Sequence, residues 1–146
     1  MKSIKISVTI LFTFFFVACS AAPRVDKPAA QNKAIIEKNK QIDLLNDVGK
    51  ILRDAQSAEK LGRNMNSYRL GTNAESKRIC NVVSEENRAG VVDLEARIKN
   101  LPDNYKDQLF PIISDLNECV SCSKKAVDSC VTARAAINKM IKELFP

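Results

Sequence analysis

One apolar period in the C-terminal third of the chain most constrains its fold. From residue 109 to residue 144, the positions of this line recur at alternating steps of four and three. This spacing places them on one face of an α-helix and is typical of the seam of a helical bundle or coiled coil. Two polar positions interrupt the line and favour a bundle over a long free coiled coil. The line consists of Leu109, Ile113, Leu116, Val120, Ser123, Val127, Cys130, Arg134, Ile137, Ile141 and Leu144.

A second apolar period predicts a helix over residues 31–61. Charged and amide residues fill the positions between its apolar residues, which is typical of a helix with one buried face. Gly62 follows and is predicted to end this helix. The apolar positions are Ile35, Ile42, Leu44, Leu45, Val48, Ile51, Leu52 and Ala55.

A middle helix is predicted between these two. Thr72 or Asn73 is placed to cap its start, with Glu75 in the first turn. Pro102 and Asp103 are predicted to end it and to begin the third helix, in which Pro111 should introduce a kink or shift the start. Its apolar line is Cys80, Val83, Val91, Leu94, Ile98 and Leu101.

The three periods together predict an all-α fold. No segment of the body shows a period of two bounded by hairpin turns, and short connections join the helices. Helices joined in this way pack against each other in antiparallel order. We therefore expect residues 31–146 to form an antiparallel three-helix bundle with disulfide staples.

The first 18 residues have the layout of an export signal. Lys2 and Lys5 are followed by an uncharged, Phe-rich run from Ile6 to Ala18. A positive start with a brief apolar run is typical of a secretory signal peptide. The run is shorter than the roughly 20 residues that a stable membrane-spanning helix needs. We expect a signal peptide over residues 1–18.

The run ends in Phe16-Val17-Ala18-Cys19-Ser20, which resembles the lipobox of bacterial lipoproteins. Phe16 stands where that family prefers Leu. The resemblance implies cleavage before Cys19 and lipidation of that cysteine, so the partner of Cys19 is membrane lipid. Ser20 after the cysteine implies the outer membrane facing the periplasm, and the cell surface is the alternative. Ordinary secretion after a small-residue cleavage site is the other interpretation of this segment.

Residues 19–30 are predicted to be a flexible tether that carries the lipidated Cys19. Pro23 and Pro28 lie in this segment, and it has no apolar period. The tether would join the lipid to the bundle domain at residues 31–146.

The charge balance limits the class of partner. The predicted signal holds two of the 23 basic residues and none of the 17 acidic ones, so the remaining chain carries a net charge of +4. Export makes nucleic acid an unexpected partner. We expect an envelope protein or an anionic envelope polymer instead.

Four cysteines remain after Cys19 is assigned to lipid: Cys80, Cys119, Cys122 and Cys130. An even number in an oxidising compartment predicts two disulfides. The preferred pairing joins Cys80 to Cys130 and Cys119 to Cys122, and the alternative joins Cys80 to Cys122 and Cys119 to Cys130. A redox pair or a four-cysteine zinc site is the chemical alternative for these thiols.

Catalysis is not expected, and neither is a cofactor or a metal. The chain contains no histidine, which excludes serine–histidine chemistry and helical zinc-protease motifs. The acid-free loop at residues 62–73 is the predicted contact surface, since it carries Arg63, Tyr68 and Arg69. Tyrosine and arginine dominate interface energetics.

The function expected from these features is a membrane-anchored, non-catalytic binding or structural module of the cell envelope. The alternative is a periplasmic immunity or inhibitor protein that neutralises a toxin or hydrolase.

Overall fold

The computed structural model describes residues 27–146, with side chains from residue 31. Four long helices and one short one form the described part, which confirms the all-α helical bundle. The predicted signal peptide, Cys19 and the tether as far as residue 26 lie outside the described residues. The helices are α1 (Lys27–Asn64), α2 (Asn66–Arg69), α3 (Ala74–Ile98), α4 (Asp103–Cys119) and α5 (Ala126–Leu144).

The bundle has four long helices because the predicted third helix is broken at residues 120–125. Serine side chains satisfy backbone groups in this break. The Ser121 hydroxyl accepts from the backbone N–H of Ser123 at 3.1 Å, and the Ser123 hydroxyl accepts from that of Lys125 at 3.1 Å. Such local bonds compete with the helical hydrogen bonds of the backbone. The expectation of one helix from residue 103 to residue 144 was therefore wrong.

Neighbouring long helices run antiparallel around the bundle in the order α1, α3, α4, α5. Asp54 on α1 pairs with Arg97 near the end of α3, and Glu59 on α1 pairs with Arg134 in the first half of α5. The α4–α5 pair is a hairpin, in which the end of α4 faces the start of α5. This arrangement is the up-down-up-down order of four-helix bundles with short loops.

The core is apolar and draws on all four long helices. The predicted apolar line is buried throughout α4. In α5, however, Ala126 and Ala133 are buried, whereas Val127 and Arg134 of the predicted line are exposed. The break at residues 120–125 shifts the buried face of α5 by one position, while Cys130 and Ile137 of the predicted line are buried as expected. Val83 of the predicted middle line is half-buried. The most completely buried apolar side chains include Val48, Leu52, Val91, Ile98, Leu109, Leu116, Val120 and Ile137.

The first half of α1 extends beyond the rest of the bundle. Every residue from 31 to 43 is exposed, and packing begins at Leu44, which lines a groove with Leu101 in the connection between α3 and α4. Ile35 and Ile42, predicted as core, are 56 % and 47 % exposed. The apolar period correctly predicted a helix here, but it wrongly predicted that these two positions are buried. They are exposed because none of the described helices reaches them.

The helix boundaries agree in part with the sequence. The Asn73 side chain caps α3 by accepting from the backbone N–H of Ser76 at 2.7 Å, as predicted. Helix α1 begins at Lys27, inside the segment predicted as tether, and α4 continues through Pro111. Within residues 27–146, none of the helices is both long and apolar enough to cross a membrane.

Candidate functional site

Two disulfides cross-link one end of the bundle, where α1 and α4 finish and α3 and α5 begin. We call this region, residues 59–80 and 118–134, the locked end. Cys80 is bonded to Cys122 with a Cα–Cα distance of 5.9 Å, and Cys119 is bonded to Cys130 at 4.6 Å. Two disulfides were predicted and are confirmed. The preferred pairing of Cys80 with Cys130 and of Cys119 with Cys122 was wrong, and the structure shows the alternative.

The break after α4 explains the pairing. In a continuous helix, Cys119 and Cys122 would lie one turn apart on the same helix, as the preferred pairing assumed. In the structure, Cys119 ends α4 and lies against Cys130 of the returning helix, whereas Cys122 lies in the connection and faces α3. All four body cysteines are consumed, so a zinc site or a Cys119–Cys122 redox pair would require these bonds to be reduced first.

Gly62 allows α1 to approach the Cys119 disulfide closely. A Cβ atom at this position would lie 2.4 Å from the Cys119 Sγ and 2.8 Å from its carbonyl oxygen. Helix α1 continues through Gly62 to Asn64. The prediction that this glycine ends the helix was therefore wrong, since the residue is required for close packing.

Arg69 joins the 62–73 segment to the end of α4. Its Nε donates to the Ser121 carbonyl at 2.8 Å, one Nη donates to the Asn66 side chain at 2.6 Å, and the other donates to the Cys119 carbonyl. Burial lowers the pKa of this guanidinium, and the nearby Glu118 carboxylate opposes that shift. The side chain stabilises carbonyl groups that the end of α4 would otherwise leave without a partner.

The segment predicted as a loop is more ordered than expected, since it contains the last turn of α1 and the short helix α2. The structure does not bring its three predicted contact residues onto one surface. Arg69 faces the end of α4, Tyr68 is exposed on α2, and Arg63 faces α5. A contribution of these residues to partner binding stays a prediction.

A buried carboxylate holds Arg63 together with an arginine from α5. The Glu59 side chain is 5 % exposed, and its Oε1 lies 2.6 Å from the Arg63 Nε and 3.2 Å from the Arg134 Nε. The two arginine side chains are 42 % and 45 % exposed. The cluster therefore combines a buried anion with two cations that still face solvent.

The three residues of this cluster line a groove of about 270 Å³ between α1 and α5. Three basic residues and one acidic residue line it, so its net charge is +2. On the other side of α1, the groove shared with α3 carries three acidic residues and Arg97, for a net charge of −2. We call the first of these the arginine groove, lined by Gln56, Glu59, Lys60, Arg63, Arg134, Ile137 and Asn138.

Sequence reasoning missed Glu59 and Arg134 as site residues. Both carried a signal, because each places a charge on a face that is otherwise apolar. Glu59 lies four residues after the buried Ala55, and Arg134 lies four after the buried Cys130. A buried charge needs a partner, so opposite charges on two predicted core faces are candidates for a pair.

The described residues contain no group of three or more potential metal-ligating side chains. No protein-family model, curated protein or solved structure matches this chain.

Proposed function

We propose that this chain is a lipid-anchored, non-catalytic binding module of the bacterial cell envelope, held on the outer membrane facing the periplasm. The observation that carries the proposal is the position of Cys19, directly after Ala18 at the end of a 13-residue uncharged run. Two disulfides in the body support an oxidising compartment, where such bonds persist. The proposed partner is an envelope protein or an anionic envelope polymer, in keeping with the positive arginine groove.

The geometry of α1 supports the division into anchor and binding end. The helix begins eight residues after Cys19 and leads through its exposed half into the bundle. From Lys27 to Lys60 the helical rise amounts to about 50 Å. The arginine groove therefore lies about 50 Å along the axis of α1 from the end of the helix that leads to the proposed lipid.

Lipidation is tested by replacing Cys19 with alanine in cells fed a labelled fatty-acid analogue. The unchanged chain should take label and remain in the membrane pellet, and Cys19→Ala should lose both properties. The matched control is the double variant Cys80→Ala/Cys122→Ala, which should still take label because only Cys19 is acylated. Label or full membrane retention in the Cys19→Ala variant would contradict the proposal.

A second function, that of a periplasmic immunity or inhibitor protein, draws support from the locked end. The Cys119–Cys130 disulfide ties α5, which forms one wall of the groove, to α4, and a wall held in this way reduces the conformational entropy that binding would cost. Its test is inhibition. A toxin or hydrolase that binds the chain should lose activity when the purified chain is added in excess, and unchanged activity would contradict this function.

A further inference from the structure

We propose that the arginine groove docks an acidic segment of a protein partner, with one carboxylate seated between Arg63 and Arg134. The proposal deepens the binding function above and rests on it for the compartment in which the partner is met.

Glu59 sets the two guanidiniums in place before any partner arrives. Its Oε1 atom contacts both guanidiniums, since it accepts a hydrogen bond from the Arg134 Nε at 3.2 Å and lies 2.6 Å from the Arg63 Nε in an ion pair. A free arginine side chain loses rotamer entropy when it is fixed in one position. Contacts with Glu59 already order both arginine side chains in the unbound protein, so a partner does not have to fix them on binding. The Glu59 carboxylate also offsets the repulsion between the two adjacent cations.

The hydrogen-bonding groups best suited to a carboxylate remain open. Within residues 31–146, no acceptor is paired with the four Nη nitrogens of Arg63 and Arg134. Guanidinium groups bind carboxylates through two parallel N–H···O bonds. Lys60 adds a third cation to the groove, so its lining keeps a net charge of +2 after Glu59 is counted.

Apolar residues beside the groove favour a protein partner over a lipid head group. Val127, Val131, Arg134 and Asn138 follow one another at steps of four, three and four, which places them on one face of α5. Val131 is 63 % exposed and Val127 is 41 % exposed. Arginines beside exposed apolar side chains are typical of protein interfaces.

The position of the groove favours the same partner. About 50 Å of helical rise separates Lys60 from the start of α1. The polar layer on each side of a bilayer is only about 5 to 8 Å thick. A groove at that distance along α1 is better placed to meet a protein than the phosphates of its own membrane.

The test is photocrosslinking in the cells that export the full chain. A photoreactive phenylalanine analogue replaces Asn138 in the groove, and in a separate strain it replaces the exposed Val92 on α3. We expect the probe in the groove, and not the one on α3, to form an adduct with a protein. The crosslinked peptide of that protein should contain Asp or Glu.

Neutral variants then test the role of the charges. Glu59→Gln/Arg63→Gln/Arg134→Gln removes both arginines without leaving a buried carboxylate unpaired, and it should lower the adduct yield roughly tenfold or more. Arg88→Gln on α3 is the matched control and should leave the yield unchanged. If the triple variant does not fold, Arg63→Lys/Arg134→Lys keeps the charges but loses the planar fork, and the yield should still fall several-fold.

An adduct with lipid or polysaccharide would overturn the proposal, as would a protein adduct without an acidic segment, an unchanged yield in the variants, or no adduct. The fatty-acid label separates this outcome from failure of the anchor. A labelled chain without an acidic-protein adduct refutes the groove alone, whereas an unlabelled chain with that adduct refutes the anchor alone.

Discussion

The two ends of the bundle are stabilised in different ways. At the locked end, two disulfides, the Arg69 hydrogen bonds and the buried Glu59 carboxylate fix the helices by covalent and polar contacts. The opposite end, which we call the open end, consists of residues 44–49, 98–109 and 140–145. Within the described residues, no disulfide or buried carboxylate lies there, and Leu44, Leu101 and Leu144 provide apolar packing.

The difference indicates a division of labour along the molecule. Apolar packing is enough to close the end from which α1 leads towards the proposed anchor. The end that presents the arginine groove has directional contacts in addition, which hold specific side chains in specific places.

The largest effect should come from removing a disulfide. Cys80 and Cys122 are 42 residues apart in sequence. Closing such a loop stabilises the folded state by about 4 kcal/mol in the chain-entropy account. We expect Cys80→Ala/Cys122→Ala to lower the free energy of unfolding by that amount in guanidinium titrations. The open-end variant Leu144→Ala, which truncates a half-buried side chain, should cost only about 1–2 kcal/mol. Equal losses would remove the distinction between the ends.

Two buried glycines of α1 allow a matched comparison of the ends. At Gly62 a Cβ would meet the Cys119 disulfide and backbone at 2.4 and 2.8 Å, whereas at Gly49 its nearest neighbour is the ring of Phe145 at 3.2 Å. The ring belongs to a half-exposed residue next to the C-terminus and has room to move. Gly62→Ala should cost about 2–3 kcal/mol, and Gly49→Ala should be neutral or stabilising by up to about 1 kcal/mol. Thermal melts measure both, and similar losses would contradict the account.

Replacing Arg69 with methionine should lower the free energy of unfolding by about 2 kcal/mol, because buried carbonyl groups lose a charged donor. The matched change Arg53→Met removes an exposed arginine of α1 and should alter stability by less than about 0.5 kcal/mol. A stability loss below about 0.5 kcal/mol for Arg69→Met would contradict this structural role. Arg69 would then be interpreted, as in the sequence prediction, as a residue that contacts a partner.

The smallest effect is expected in the exposed half of α1. Ile35→Ser/Ile42→Ser should change the free energy of unfolding by less than about 0.5 kcal/mol, since both side chains face solvent. A loss above about 1 kcal/mol would show that another surface covers them, for example a second copy of the chain. Sedimentation at several concentrations distinguishes that case.

The sequence predicted helices better than it predicted what they pack against. The periods in Val48–Ala55 and Leu109–Val120 identified buried faces because a partner helix lies opposite them. Ile35 and Ile42 continue the same period without a partner, and periodicity alone does not report that difference. The break at residues 120–125 was hidden because it contains neither glycine nor proline.

The candidate site was less accessible to sequence reasoning than the fold. Arg63 was identified, but its charge partner Glu59, four residues earlier on α1, was missed, and its neighbour Arg134 became visible only when α5 folded back along α1. The four cysteines were assigned to disulfides correctly. Their pairing depended on the missed break, so the preferred choice was wrong.

The disulfide map of the exported protein tests most directly whether the locked end exists as described. Digestion with trypsin in the absence of reductant should place the four cysteines in three peptides. These peptides are Ile79–Arg88, Asp107–Lys124 and Ala126–Arg134. Because Cys119 and Cys122 share the middle peptide, bonds Cys80–Cys122 and Cys119–Cys130 predict one species in which all three peptides are linked. Cleavage of that species beside Val120 should then leave Cys80 with Cys122. A linked pair of the two outer peptides, together with an internally bridged middle peptide, would contradict the structure of the locked end.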